Sequence, residues 1–160
     1  MENKITQHSF NTVLENTLQT CNTDENYQQY SSREKMLAFV FTFLQNLDET
    51  DSSFIQQNRV SFLQPIKTNL NNYFEELIFD ATNSGEVQAR PFIANYYKSV
   101  LNTAFLSILN FWSNDKSANK ENTDVMVEKT VHFAFDILAP NAIDSGFDLA
   151  QNLFKLSRKK

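Results

Sequence analysis

One stretch sets the architecture of this chain: residues 31–47, which read SSREKMLAFVFTFLQNL. A serine at its start is a good N-cap, and Glu34 follows at a compatible spacing, so we predict that a helix begins here. The apolar residues of this helix surround its axis, and a helix that is apolar on every side cannot lie on a soluble surface. We therefore expect it to run through the middle of the fold, with Phe39, Phe41 and Phe43 pointing into protein.

Apolar residues recur at helical spacing on both sides of this central helix. Gly85 lies where a left-handed C-terminal cap belongs, and Pro91 and Pro140 mark the start of one helix and the end of another. Only two Gly and three Pro occur, too few for the tight turns of a sandwich or barrel. We predict one all-α domain over residues 1–160, with about seven helices. The other six cover approximately residues 7–21, 51–62, 66–81, 91–112, 123–138 and 141–156.

Composition restricts the classes of function. The formal net charge of -5 gives no broad positive field that could displace counterions from a nucleic acid. A single cysteine, Cys21, excludes an internal disulfide, and the first ten residues lack the apolar run of a signal peptide. The longest apolar run, residues 36–44, is about half of the roughly 20 residues that cross a bilayer. We expect a cytoplasmic location, and no contact with nucleic acid or membrane through this chain.

One polar pattern could carry chemistry. Glu128, His132 and Asp136 lie at successive i+4 positions, which places a histidine between two carboxylates on one helix face. Bundle metal sites need a second Glu-x-x-His pair, and the other histidine, His8, is near the N-terminus, so a solvated polar face is the simpler interpretation. Cys21 has no active-cysteine signature around it, and the chain shows no phosphate loop or nucleophile elbow. We expect no catalytic residue, no metal and no cofactor.

A surplus of aromatic residues remains, and it comes from three helices that should pack together. Such a set can fill a core, or it can line an apolar cavity with a few polar groups, as in many small-molecule sites. For any single residue, core filling is the simpler interpretation. Our candidate ligand pocket consists of Phe39, Phe43, Tyr73, Phe74, Leu77, Tyr97, Leu101 and Phe105.

The last predicted helix has two apolar flanks, so that one can face the core and the other a partner. Small residues at i, i+4 and i+8 along it would allow another helix to approach closely. This pattern predicts a homodimer with a self-complementary patch. The candidate dimer interface consists of Phe133, Ile137, Ala142, Gly146, Leu149, Ala150 and Leu153.

Three stretches resemble the C-terminal regulatory domain of a TetR-repressor subfamily. They are YSSREKMLAFVFTFLQNL at residues 30–47, GEVQARPFIANYYK at residues 85–98 and DVMVEKTVHFAFDILAPNAIDSGFDLAQNLF at residues 124–154. The resemblance implies an orthogonal helical bundle with a pocket for an apolar or aromatic small molecule, and a two-fold dimer built from late helices. Family members begin with a three-helix unit containing a DNA-binding helix-turn-helix, and nothing before Tyr30 resembles one.

Several functions stay open at this point. The first is an effector-sensing and dimerisation domain of a TetR-type transcription regulator. The second is a stand-alone binding protein for lipid-like small molecules, and the third is an antagonist that forms mixed dimers with a full-length repressor. An enzyme ranks last, because the sequence offers no convergent nucleophile, base and orienting group.

Overall fold

The computed structural model describes residues 2–49, 67–90 and 94–140. Within these residues the regular structure is helical throughout, which confirms the predicted all-α class. Two of the seven predicted helices, over residues 51–62 and 141–156, lie outside the described residues. The α-helices are α1 (Glu2–Thr23), α2 (Ser32–Asp48), α3 (Lys67–Ser84), α4 (Ala94–Trp112) and α5 (Glu121–Leu138), with short 3₁₀ helices at Tyr27–Gln29 and Ala118–Lys120.

The central position predicted for α2 is confirmed, since this helix packs against α1, α3 and α5. It begins with a capping box, in which the Ser31 side chain accepts from the Glu34 amide and the Glu34 carboxylate accepts from the Ser31 amide. The prediction that Phe41 points into protein is wrong, because its side chain is 36% exposed. Gln45 and Asp48 lie on the same side of α2 and are also exposed, so one narrow stripe of the helix faces solvent.

Helix α1 is longer than the predicted segment and packs its apolar side against α2. Thr17 is buried within that contact, where its hydroxyl donates to the Val13 carbonyl at 2.7 Å and accepts from the side-chain Nδ2 of Asn46 at 3.0 Å. Cys21 is buried as well, and burial raises the pKa of its thiol. The chain then turns through Tyr27–Gln29 before α2 begins.

The predicted end of α3 is confirmed at Gly85, whose φ of +82° is the left-handed geometry that glycine adopts without strain. After this turn the Val87 amide donates to the Ala81 carbonyl at 3.0 Å, and the Gln88 amide donates to the Leu138 carbonyl at 3.3 Å. The segment therefore ties the end of α3 to the end of α5. Pro91, which was predicted to start α4, lies outside the described residues.

Helix α5 begins at Glu121, earlier than the predicted cap at Thr123 or Asp124. Thr123 is buried inside the first turn, where its amide donates to the Asp115 carboxylate at 2.8 Å. Asp115, in the preceding loop, therefore takes the role that the sequence assigned to a residue within α5. Its bonds to Thr123 and Ser117 hold the pKa of this carboxyl well below its usual range.

Candidate functional site

Four phenylalanines from three helices form what we call the core cluster: Phe39, Phe43, Phe74 and Phe105. None of the four has exposed surface. The ring centroid of Phe105 lies 5.2 Å from that of Phe43, 5.9 Å from Phe39 and 6.2 Å from Phe74. These are the separations of aromatic rings in direct contact, so the rings fill the space between α2, α3 and α4.

The other residues of the predicted pocket belong to the same hydrophobic core or pack against it. Leu77 and Leu101 are buried, and Tyr73 stacks on Phe39 with ring centroids 4.2 Å apart. Tyr97 is buried too, but its hydroxyl donates to the Gln88 carbonyl at 2.8 Å and so reaches the segment after α3. The structure thus gathers all eight predicted residues in or beside one apolar core.

Beside the core cluster lies an open cleft of about 300 Å³, between α1, the turn at Tyr27–Gln29, α2 and α3. Two of the predicted pocket residues, Tyr73 and Leu77, line it. The cleft is also lined by Leu18, Asn22, Tyr27, Gln28, Lys35, Asn72, Glu76 and Asp80. It is more polar than the pocket predicted from the sequence, and it lies on the α1 side of Tyr73, whereas Phe105 lies on the α4 side.

Two tyrosine hydroxyls meet at the inner wall of the cleft. The Tyr27 and Tyr73 oxygens are 3.0 Å apart, and they lie 3.4 Å and 3.3 Å from the Lys35 carbonyl oxygen. One hydroxyl donates to the other while the carbonyl accepts, so the pair is satisfied without a charge. Burial raises the pKa of Tyr27 to about 12 and also raises that of Tyr73. Both hydroxyls therefore stay protonated near neutral pH.

The charges of the cleft come from α2 and α3. The Lys35 ammonium lies 2.9 Å from an Asp80 carboxylate oxygen, with the lysine side chain 14% exposed and the aspartate 50% exposed. Glu76 lies one helical turn before Asp80 and also lines the cleft. The Glu76 side chain is exposed, and within the described part of the chain its carboxylate makes no hydrogen bond or ion pair. The lining therefore contains one neutralised pair and one carboxylate, that of Glu76, which has no counter-charge among the described residues.

A second polar cluster joins the segment after α3 to α2 and α5. The Glu86 carboxylate accepts from the backbone amides of Ser32 at 2.8 Å and Arg33 at 3.2 Å, as anions commonly do at a helix N-terminus. The Arg33 guanidinium in turn donates to Asp136 at 2.8 Å and to Nδ1 of His132 at 3.0 Å. The face of α5 that we expected to be solvated is thus partly covered by the Arg33 guanidinium.

No metal-binding geometry accompanies that cluster. Over residues 2–49, 67–90 and 94–140, no group of three or more His, Cys, Asp or Glu side chains is placed to hold a metal ion.

In the same ranges, no helix combines the length and the apolar character that a bilayer crossing requires.

The predicted dimer interface falls mainly on residues 141–156. Ala142, Gly146, Leu149, Ala150 and Leu153 lie outside the described residues. The two described members lie on α5, where Phe133 is 65% exposed and Ile137 packs partly against the core. Val125 lies two turns before Phe133 and is 48% exposed, so α5 presents large apolar side chains to solvent.

Several residues of the cleft were not predicted from the sequence. Tyr27 lies in a short turn without helical periodicity, and nothing in the sequence indicates that its hydroxyl reaches α3. The sequence does indicate Asn72, Glu76 and Asp80, because they recur at i, i+4 and i+8 and form a polar stripe along α3. A search for the polar stripe that borders the apolar one would have located this wall of the cleft.

A family model described as the tetracyclin repressor-like C-terminal domain matches residues 35–153. The match begins within α2, continues past the end of α5, and covers more than half of the chain. No curated protein and no solved structure matches the chain at a significant level.

Proposed function

The chain belongs to the family of tetracyclin repressor-like C-terminal domains, and from that premise we propose that it senses an effector and forms a homodimer within a TetR-type transcription regulator. The match over residues 35–153 carries this proposal, because it includes most of α2 and the whole of α3, α4 and α5, which hold the core cluster and one wall of the cleft. Helix α1 and the turn at Tyr27–Gln29, which form the other wall, precede the match. The effector is a small apolar or aromatic molecule, and the domain works in the cytoplasm. Its role is regulatory, and the family argues against catalysis.

In this proposal the effector enters the domain through the cleft. The rings of the core cluster are already in contact, so a ligand reaches them by displacing one, and Tyr73 stands between cleft and cluster. Moving its ring away from Phe39 would separate α3 from α2. A ligand shifts such an equilibrium only by its difference in affinity for the two arrangements.

The contacts around Glu86 offer a route from the cleft to the dimer surface. Glu86 follows α3, binds the first amides of α2, and lies next in the chain to Val87, which is bonded back to Ala81. Arg33 then reaches α5, the helix that exposes Phe133. A displacement of α3 against α2 would therefore change the position of α5 relative to a second copy of the chain.

Ligand binding is tested by thermal unfolding of the purified chain against a library of neutral aromatic and aliphatic small molecules. A ligand that binds the folded state adds RT ln(1 + [L]/Kd) to the free energy of unfolding, so the melting temperature rises with the ligand concentration. Asn72→Trp places an indole in the cleft and should abolish the shift. Asn83→Trp, an exposed position on the same helix that does not line the cleft, should leave it intact.

Dimerisation is tested by sedimentation at several concentrations. We expect a dimer for the wild type and a weaker dimer for Phe133→Glu and for Gly146→Lys, because a charge at a close apolar contact is costly. A wild type that stays monomeric at high concentration, and that no library compound stabilises, would contradict the proposed function.

A further inference from the structure

We propose that the cleft binds small molecules that carry a protonated amine on an apolar or aromatic body, with Glu76 as the counter-charge for the amine. The inference rests on the proposed function and narrows its effector to one chemical class. It follows from the charges, the hydroxyl pair and the size of the cleft.

The charge balance of the cleft favours a cation. Lys35 and Asp80 neutralise each other at 2.9 Å, and the lysine is held there with only 14% of its side chain exposed. Glu76 is left without a partner within the described residues. The Glu76 side chain lines the cleft and is exposed to solvent, so its attraction for a cation is the modest one of a surface carboxylate. An anionic ligand would instead meet two carboxylates and would have to take Lys35 from Asp80.

The uncharged side chains of the cleft indicate the shape and polarity of the rest of the ligand. Leu18, Leu77 and the rings of Tyr27 and Tyr73 provide apolar walls. Because the pKa of both tyrosines is raised, their hydroxyls act as neutral hydrogen-bonding groups and supply no negative charge near neutral pH. The carboxylates are therefore the anionic groups available to an ammonium. A volume of about 300 Å³ is at the lower end for small-molecule pockets, which fits a ligand built on a single ring.

Three probes of matched shape separate charge from size: phenethylamine, which is cationic, phenethyl alcohol, which is neutral, and hydrocinnamate, which is anionic. Their affinities for the whole chain are measured by calorimetry at low and high salt. We expect the amine to bind about three- to tenfold more tightly than the alcohol, as a partly exposed charge-assisted contact allows, and hydrocinnamate to bind most weakly.

Two glutamates that adjoin on α3 give a matched pair of variants. Glu76→Gln should reduce the affinity for phenethylamine to that of the alcohol and leave the alcohol unchanged. Glu75→Gln removes the same charge from the same helix, but Glu75 pairs with Lys98 of α4 and does not line the cleft. This control should retain the preference for the amine. A loss in both variants would indicate the general field of the protein and would overturn the role of Glu76.

Asp80→Asn tests the charge balance from the other side. It leaves Lys35 without its partner, so the affinity for hydrocinnamate should rise several-fold while that for phenethylamine falls. Equal binding of all three probes, or tightest binding of hydrocinnamate to the wild type, overturns the inference and leaves the proposed function standing. If neither these probes nor the neutral library binds the chain, both the inference and the effector-sensing function are wrong.

Discussion

The core cluster and the cleft share two helices, α2 and α3, yet the cluster is closed and the cleft is open. Around Phe39 and Phe74, α2 and α3 bring apolar rings together and no side chain is exposed. Toward α1, the same helices present Lys35, Glu76 and Asp80 to a recess of about 300 Å³. Tyr73 lies between the two regions, with its ring stacked on Phe39 of the core cluster and its hydroxyl bonded to that of Tyr27 in the cleft.

The difference shows how side-chain chemistry decides whether two helices close against each other. Apolar side chains gain free energy by excluding water and pack to crystal-like density. Hydroxyl, amide and charged groups must keep a partner or remain in water, so the surface that carries them does not collapse. A regulatory domain gains from this combination, since the closed region holds the fold while the open region can accept a ligand.

The largest expected effect lies in the closed region. Phe74→Ala should lower the free energy of unfolding by about 3–5 kcal/mol, because it removes a buried ring and leaves a cavity beside Phe105. Denaturant unfolding measures the loss. Phe79→Ala is the control on the same helix, where the side chain is 67% exposed and the change should stay within about 0.5 kcal/mol. Equal losses in the two variants would show that the rings are not packed as described.

The next largest effect is a loss of stability at alkaline pH, and it comes from Tyr27, whose hydroxyl bonds to that of Tyr73 between the cleft and the core cluster. The pKa of Tyr27 is about 12 in the folded chain and 10.0 ordinarily, so the folded state holds this proton more tightly. The stability this provides is complete below pH 10 and is lost as the pH rises toward 12, by roughly 1–2 kcal/mol. Tyr27→Phe should make this decline shallower, and the part that remains comes from Tyr73, whose pKa is also raised by burial. Urea unfolding at each pH measures the free energy of unfolding of both proteins. If it declines equally in the wild type and the variant, the two hydroxyls are not buried as described.

A smaller loss is expected at neutral pH from the hydroxyl of Tyr73. Tyr73→Phe keeps the ring on Phe39 but removes a hydrogen-bonding partner of Tyr27, which should cost about 1 kcal/mol of unfolding free energy. Tyr96→Phe serves as the comparison, since that side chain is 67% exposed and its removal of a hydroxyl should cost almost nothing. A Tyr73 variant as stable as the Tyr96 variant would place its hydroxyl in solvent.

The smallest effect comes from the charged wall of the cleft. Asp80→Asn should reduce stability by about 0.5 kcal/mol or less, because the aspartate of this ion pair is 50% exposed. High salt should shrink the difference further, since it screens exposed charges. A loss comparable to that of Phe74→Ala, unchanged by salt, would mean that the cleft wall supports the fold as strongly as the core cluster does.

The sequence predicted the fold well where helical periodicity was strong. The start of α2, the turn at Gly85 and the burial of Phe39 and Phe43 followed from capping rules and apolar spacing. It misplaced the start of α5, because the capping carboxylate is Asp115, in a loop outside the helix. It also placed Phe41 in the interior, because an apolar residue on a narrow exposed stripe cannot be recognised from spacing alone.

The candidate site was harder to predict. The aromatic residues were assigned to one group, and the structure does bring them together, but Tyr27 and Lys35 were missed. Their contacts with Tyr73 and Asp80 join residues 46 and 45 positions apart in the chain. Local patterns carry no information on such pairs, since each depends on how two helices are turned toward each other.

The helical class, the central place of residues 31–47 and the family could be inferred from the sequence, because they depend on local spacing and on subfamily patterns. Which side of Tyr73 is filled and which is open could not be inferred in this way. That distinction depends on the balance between apolar burial and the unmet needs of polar groups, and this balance is set only when α1, α2 and α3 have packed together.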